Sequence, residues 1–293
     1  MVIAAIIPTF NRKKYLNTLL AQLKNQFKED NIIEIVIVVD GSTDGTLEML
    51  EVEFPEVHIV KGDGNWWYTK SMNEGFKYAE RLKADYVLTL NDDIEVEEDY
   101  IQQLINATLI VPENSIIGSL TLTIKKPRKI IGAGIKKIIK WKGSLVPYYK
   151  FLEPLGDKQL VGIYTSVVLP GRGMLIPCNI LNKLNYFDES FKQYASDYDF
   201  CLRAQNKGYK VFISCNAKVY SHINMSSESS SFIKKPLYKF IKGFVNPYSR
   251  IYLPSRAKYI WRHGIKILWP ISFLIFILAS IKANFINPKL NSL

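Results

Sequence analysis

At 293 residues and 48% hydrophobic side chains, the chain is long for one α/β domain, short for two full ones, and apolar enough to exclude disorder as its default state. Its three cysteines, Cys178, Cys201 and Cys215, fall in no metal-ligand spacing, and their odd number argues against a disulfide framework, so a reducing compartment is expected. The net charge of +11 is carried wholly after Glu228, beyond which no Asp or Glu occurs, and that asymmetry points to an anionic partner for the tail.

The start of the chain lacks a basic n-region and has too short an apolar run for a signal peptide, so residues 2–7 read as a buried strand broken by Pro8-Thr9-Phe10-Asn11-Arg12. Leu16, Leu19, Leu20 and Leu23 follow at helical spacing. Residues 32–39 form a second buried strand ending in Asp40-Gly41-Ser42-Thr43-Asp44-Gly45, and residues 57–60 a third, ahead of Gly62-Asp63-Gly64-Asn65-Trp66-Trp67-Tyr68. A helix with Met72, Phe76, Ala79 and Leu82 on one face leads to a fourth strand that ends in Asn91-Asp92-Asp93. Strand, loop and helix repeated four times predict a parallel sheet with right-handed crossovers. Open α/β sheets bind ligands at the carboxyl ends of their strands, and hard oxygen donors there suit Mg2+ or Mn2+ on a phosphorylated substrate. The alternative is a strand-to-helix turn whose aspartates cap the next helix.

No G-x-G-x-x-G follows the first strand and no G-x-x-x-x-G-K-[ST] occurs, which argues against a nicotinamide enzyme or a P-loop NTPase. The acidic start of a helix over 100–111 is expected straight after Asp93, then a strand over 116–124. Residues 125–142 are basic without an acid, with Gly132 and Gly134 suggesting a hairpin, and read as a solvated edge. Strands over 160–169 and 174–177 are joined by Pro170-Gly171-Arg172-Gly173, and a short helix over 179–184 follows. Ser196-Asp197-Tyr198-Asp199 opens a helix that stops at Gly208, and two short strands, 211–213 and 217–220, precede His222.

Four segments in this order resemble the family 2 glycosyltransferases: Pro8-Thr9-Phe10-Asn11-Arg12, Val38-Val39-Asp40-Gly41-Ser42-Thr43-Asp44-Gly45-Thr46, Leu90-Asn91-Asp92-Asp93, and Tyr194-Ala195-Ser196-Asp197-Tyr198-Asp199-Phe200-Cys201-Leu202-Arg203. The likeness covers residues 1–225 and is nearest to the bacterial branch that includes rhamnosyltransferase-like enzymes. It implies an α/β GT-A fold, a mixed, mostly parallel sheet flanked by helices, divided as a catalytic domain over 1–228 (a nucleotide-binding half, 1–112, and an acceptor-side half, 113–228) and a tail over 229–293. It also implies that Thr9, Asn11 and Asp40 line the nucleotide pocket, that Gly64, Asn65 and Asn73 close over the donor, and that Asn91 and Asp92 contact it. Asp93 becomes the likeliest ligand of Mg2+ or Mn2+, with His222 a second candidate, and Asp197 the general base. Asn91 replaces the first Asp of the family's D-x-D element, and Ser196 stands where the family usually has Glu. An inverting transfer needs one carboxylate to deprotonate the acceptor hydroxyl, while a cation-bound diphosphate leaves without a general acid. Arg172 is a candidate contact to diphosphate or acceptor, Arg203 a partner for Asp199, and Trp66 and Trp67 either stack on base or sugar, pack in the core or form an acceptor-side wall.

Ser226-Ser227-Glu228-Ser229-Ser230-Ser231 reads as a linker, after which aromatic and basic residues interleave. Residues 267–281 are almost wholly apolar with Pro270 inside, short of the roughly 20 residues a span requires, so a monotopic or peripheral anchor on an anionic membrane surface is expected. The alternative is a helix packed on the catalytic domain. Nucleic acid is not expected, since no binding motif accompanies the basic residues. The expected activity is transfer of a sugar from a UDP-, dTDP- or GDP-linked donor to a glycan or lipid-diphosphate acceptor at the cytoplasmic face of the bacterial cell membrane. A nucleotidyltransferase, or a non-catalytic nucleotide- or carbohydrate-binding scaffold, stands as the alternative.

Overall fold

A computed structural model describes residues 1–26, 31–222 and 235–285. Strand and helix alternate through β1 (Val2–Thr9), α1 (Lys13–Lys24), β2 (Ile32–Val39), α2 (Thr46–Glu53), β3 (His58–Lys61), α3 (Trp67–Arg81) and β4 (Tyr86–Thr89). These strands lie parallel in the order β3-β2-β1-β4. Successive strand residues face opposite sides, so β1 sends Ile3, Ala5 and Ile7 into one core with Leu16, Leu19, Leu20 and Leu23 of α1. Ala4 and Ile6 enter a second core with Met72, Phe76 and Ala79 of α3. Burial on both faces explains why the strand runs are continuously apolar rather than alternating.

The second half comprises β5 (Ile94–Val96), α4 (Tyr100–Ile110), β6 (Ile116–Thr123), β7 (Lys129–Gly132), β8 (Ile135–Ile139), β9 (Ser144–Pro147), β10 (Glu153–Pro154), β11 (Ile163–Thr165), β12 (Met174–Pro177), α5 (Cys178–Lys183), α6 (Ser196–Asn206) and β13 (Val211–Ser221). β12 inserts antiparallel between β4 and β6, which makes the sheet mixed. Several local expectations change. No helix follows Asp93 directly: β5 intervenes and pairs with β13. The basic hairpin does not turn at Gly132 and Gly134, because both edges of β7 are taken by β6 and β10, so β8 pairs with β9 instead. Residues 170–173 join strands that are not neighbours, since β11 pairs with β13. The two short strands expected over 211–220 are one strand, whose register against β6 slips between Ser214 and Lys218.

In the tail lie α7 (Leu237–Val245), α8 (Leu253–His263), a 3-10 turn (Lys266–Leu268) and α9 (Trp269–Phe285). The serine-rich linker falls outside the described residues. Pro270 sits in the first turn of α9, where a missing N–H removes no helical bond, so it does not interrupt the helix. The apolar stretch therefore runs 20 residues, Lys266–Phe285, long and apolar enough by length and composition to cross a membrane, and it is little buried. By contrast, α8 docks on the catalytic body. Asp199, fully buried at the start of α6, receives Arg203 at 2.7 Å on Oδ2, and Arg262 at 2.7 Å and His263 at 2.8 Å on Oδ1. Asp188 takes Arg262 and Lys258, both at 2.8 Å. Arg256 donates to the Gly143 carbonyl at 3.0 Å and lies over the Tyr259 and Phe276 rings. Part of the tail's positive charge thus has its anionic partner inside the chain.

Candidate active site

The carboxyl ends of β1, β2 and β4 open into a cleft of about 340 Å³. Thr9, Arg12, Asp40, Gly64, Asn91, Asp92 and Asp93 line one side, with Trp67, Tyr68 and Ser71 of α3 and with Arg172 and Gln193 completing it. The strand ends are tied together: the Asp40 amide donates to the Thr9 carbonyl at 3.1 Å, and the Leu90 amide to the Ile6 carbonyl at 3.0 Å.

Asp40 is buried and organises the loop above it. Its Oδ1 accepts the Gly64 amide at 2.8 Å, and its Oδ2 accepts the Trp66 and Trp67 amides, each at 2.9 Å. A carboxylate offers about four acceptor positions, so three amides leave it about one for a ligand. Asn11 does similar work one loop away. Held in the left-handed region (φ 53°), which Asn tolerates, it accepts the Thr43 amide at 2.7 Å through Oδ1, and its own amide donates to Ser42 Oγ at 3.0 Å. Its side chain lines a separate, more open hollow with Lys13 and Asp44.

Asp92 and Asp93 are both buried and share one cation. Arg12 Nη1 lies 2.8 Å from Asp92 Oδ1 and 3.1 Å from Asp93 Oδ2. Burial pushes the Asp92 carboxyl up to about 6; Arg12 opposes that rise, and the Asp93 charge adds to it. Asp93 Oδ1 is buried without a hydrogen-bond partner among the described residues. An orphaned carboxylate oxygen beside a second carboxylate, at a strand end, is a donor set that fits Mg2+ or Mn2+. Arg12, which carried no assigned role from sequence, already supplies one positive charge there. Its signal was the arginine closing the loop after β1, within reach of the neighbouring strand's aspartates.

Asp197 stands in the first turn of α6 and does not itself line the cleft, but its charge acts on the cleft-lining Tyr68 and is opposed by Arg172. Its Oδ2 accepts the Gly171 amide at 2.8 Å and its Oδ1 the Tyr198 amide at 2.8 Å. Burial raises its carboxyl, against the opposing pull of those amides and of Arg172. Arg172, one of the cleft-lining residues, donates to Ser221 Oγ at 3.2 Å. The hydroxyls of Thr9, Tyr68 and Ser71 are buried in the cleft wall without a partner among the described residues.

Besides Asn11 and Asp197, three more residues singled out by sequence do not line the cleft. Asn73 donates to the Phe187 carbonyl at 3.0 Å and to Glu189 at 2.9 Å, and accepts the Phe187 amide at 3.1 Å, so its amide is a staple between α3 and the 187–189 loop. Asn65 is exposed, its amide capped by Asp63 at 2.9 Å. The imidazole of His222 lies 3.0 Å from Glu95 Oε1 and edge-on to Tyr15, although its amide bonds the Asp93 carbonyl at 3.1 Å. No group of three or more potential His, Cys, Asp or Glu metal ligands occurs among the described residues.

The model of glycosyl transferase family 2 matches residues 4–152. The chain belongs to this family. It is 24% identical over 192 residues to the low-salt glycan biosynthesis hexosyltransferase Agl10 of Haloferax volcanii, a match that spans 64% of this chain and 59% of the relative. A dolichyl N-acetyl-glucosaminyl phosphate diacetamido-dideoxy-glucuronosyltransferase of Methanococcus voltae is 24% identical over 290 residues, 95% of this chain and 81% of that protein. Among solved structures, GalNAc-T7 with UDP, GalNAc and Mn2+ superposes with a TM-score of 0.62 at 14% identity, over 98% of this chain and 58% of that one. The shared architecture is GT-A, as the sequence resemblance implied.

Proposed function

We propose that this family member is an inverting glycosyltransferase that moves a sugar from a nucleoside diphosphate donor to a hydroxyl of a lipid-linked or growing glycan. The observation that carries the reading is the cleft itself. Its walls carry a carboxylate pair with an unsatisfied oxygen together with Arg12 and Arg172, and the lining Tyr68 and Arg172 feel the charge of a second, independently held carboxylate, Asp197. Thr9, Asp40, Gly64, Asn91 and Asp92 would contact the nucleotide and diphosphate, with Asn11 holding the loop that shapes their pocket. Asp93, with Asp92, would hold Mg2+ or Mn2+, which when bound supplies a positive charge for the departing diphosphate. Arg12 and Arg172 add fixed positive charge near the same phosphates, placed before the reaction starts. Asp197 accepts the proton of the acceptor hydroxyl as that oxygen attacks the anomeric carbon. Burial raises its affinity for a proton, while the two amides hold its oxygens in place. An attack from the face opposite the diphosphate inverts the anomeric centre.

The tail supports a membrane-borne acceptor. Tyr248, between α7 and α8, stacks on Trp67 at a centroid distance of 3.5 Å, so the tail borders the cleft. Ile267, Ile271, Leu274 and Leu278 are exposed on the apolar stretch, beside interfacial aromatics such as Trp261. Attachment at the cytoplasmic face follows from a nucleotide donor. Membrane fractionation with salt and then alkaline carbonate tests the anchor: the chain stays with membranes, and recovery wholly in the soluble fraction would remove the claim. The catalytic assignment is tested with Asp197→Asn. This variant keeps nucleotide-sugar binding within a factor of about two and loses transfer by roughly 10²–10⁴-fold; retained transfer would overturn the role of Asp197.

A further inference from the structure

The unpartnered polar atoms of the cleft divide by chemistry. Asp93 Oδ1 is anionic and suits a cation, whereas the hydroxyls of Thr9, Tyr68 and Ser71 are neutral and buried; Thr9 ends β1, and Tyr68 and Ser71 stand one turn apart near the N-terminus of α3. A buried hydroxyl without a partner has lost water and gained nothing in exchange, so three of them in one cleft wall indicate groups that a ligand completes. A neutral hydroxyl both donates and accepts. A sugar hydroxyl can use both directions, whereas a diphosphate oxygen can only accept, and in this cleft Arg12 and Arg172 already serve that charge.

The neighbouring backbone is built around the Tyr68 hydroxyl. A Cβ on Gly171 would stand 1.7 Å from Tyr68 Oη and 3.7 Å from Asp197 Oδ2. Gly171 does not occupy the left-handed region, so its glycine is required by space and not by backbone conformation. The same residue's amide holds Asp197 Oδ2 at 2.8 Å. Tyr68 is thereby seated beside the proposed proton acceptor. Burial and the Asp197 charge hold its phenol well above the usual range against the pull of Arg172, so it remains a protonated donor.

We propose that Tyr68 and Ser71 recognise hydroxyls of the transferred sugar, and that Gly171 is the seat that lets Tyr68 reach them. The assignment rests on the donor reading given above. It extends that reading from the diphosphate, which Asp92, Asp93 and the arginines serve, to the sugar that these carry. Tyr68 and Ser71 are then the residues that discriminate between donors differing in hydroxyl pattern.

The test is calorimetric binding to the full chain, with Mn2+, of UDP, dTDP and GDP and of their hexose conjugates. Wild type is compared with Tyr68→Phe, Ser71→Ala, Gly171→Ala and the Tyr68→Phe/Gly171→Ala double variant, each checked for an unchanged fold by circular dichroism. Every variant should bind the free nucleotide within about twofold of wild type. Tyr68→Phe and Ser71→Ala should each weaken the preferred sugar conjugate by roughly tenfold, the scale of one hydrogen bond. Gly171→Ala should reproduce the Tyr68→Phe loss, and the double variant should lose no more than Gly171→Ala alone. Equal losses for nucleotide and conjugate, or no loss for either, would overturn the sugar assignment and leave the donor reading standing. Failure of wild type to bind any of these nucleotides would instead remove the donor reading and, with it, this assignment.

Discussion

Two buried carboxylate clusters in this molecule look alike in sequence and differ in what they leave unsatisfied. Asp199 has partners on both oxygens, from Arg203, Arg262 and His263, so neither oxygen is left without a donor. Burial pushes its carboxyl up, but the bonds from His263 and Arg203 overcome that, and it stays below the ordinary carboxylate range. Asp92 and Asp93 share Arg12, one Asp93 oxygen has no partner among the described residues, and burial still holds Asp92 up at about 6. A saturated cluster is a joint, here between the tail and the catalytic body. An unsaturated one keeps an oxygen free for a ligand. Burial alone does not distinguish them; the count of donors facing each oxygen does.

Breaking one cluster should therefore stop chemistry, and breaking the other should loosen the fold. The largest effect is expected for Asp93→Ala: transfer falls by roughly 10²–10³-fold while the melting temperature stays level or rises, since an unpaired buried oxygen is removed. Assays of initial rate beside calorimetric unfolding would show the split. Asp199→Ala should do the reverse, lowering unfolding free energy by roughly 3–5 kcal/mol because Arg203, Arg262 and His263 lose their shared counter-charge. Denaturant titration measures that loss. An Asp199→Ala protein as stable as wild type would dissolve the distinction.

Acidity gives a subtler separation. The depressed Asp199 carboxyl contributes stability that is present above the ordinary carboxylate range and lost as pH falls through its folded value. Asp92 has the opposite sign. Its raised folded value means that its contribution to stability is present at low pH and lost as pH rises through about 6, the interval in which it becomes ready to meet a cation. Mn2+ binding, followed by electron paramagnetic resonance, should weaken as pH drops below about 6. Arg12→Gln should move that midpoint upward, because Arg12 is what holds Asp92 down; an unmoved midpoint would show that Arg12 does not govern the pair. The smallest effect belongs to the exposed stack at the cleft mouth. Tyr248→Ala should alter stability or acceptor KM by only about 0.5–1.5 kcal/mol equivalent.

Much of this architecture was legible from local pattern. The continuous apolar runs of β1 and β2 and the leucine spacing of α1 report burial directly, and the placement of Asp92 and Asp93 follows from the rule for strand ends. What was not legible depends on partners distant in sequence. Nothing local to Asn73 says that its amide meets Phe187 and Glu189. Nothing in the sequence around His222 says that Glu95 and Tyr15 lie against its ring. The charge bias of the tail was plain, yet nothing local says that Arg262 and His263 close on Asp199 and Lys258 on Asp188. Tyr68 and Ser71 gave no signal as ligands because hydroxyls on a helix are ordinary. Only their lack of a partner marks them.

The central claim is that Asp93's unsatisfied oxygen exists for a cation that carries a nucleoside diphosphate. Its most direct measurement is thermal unfolding of wild type and Asp93→Asn with UDP, dTDP or GDP, with and without Mn2+. At least one nucleotide should stabilise wild type more with Mn2+ than without it, and Asp93→Asn should lose the Mn2+-dependent part. Stabilisation of both proteins to the same degree, or of neither by any of the three nucleotides, would contradict it.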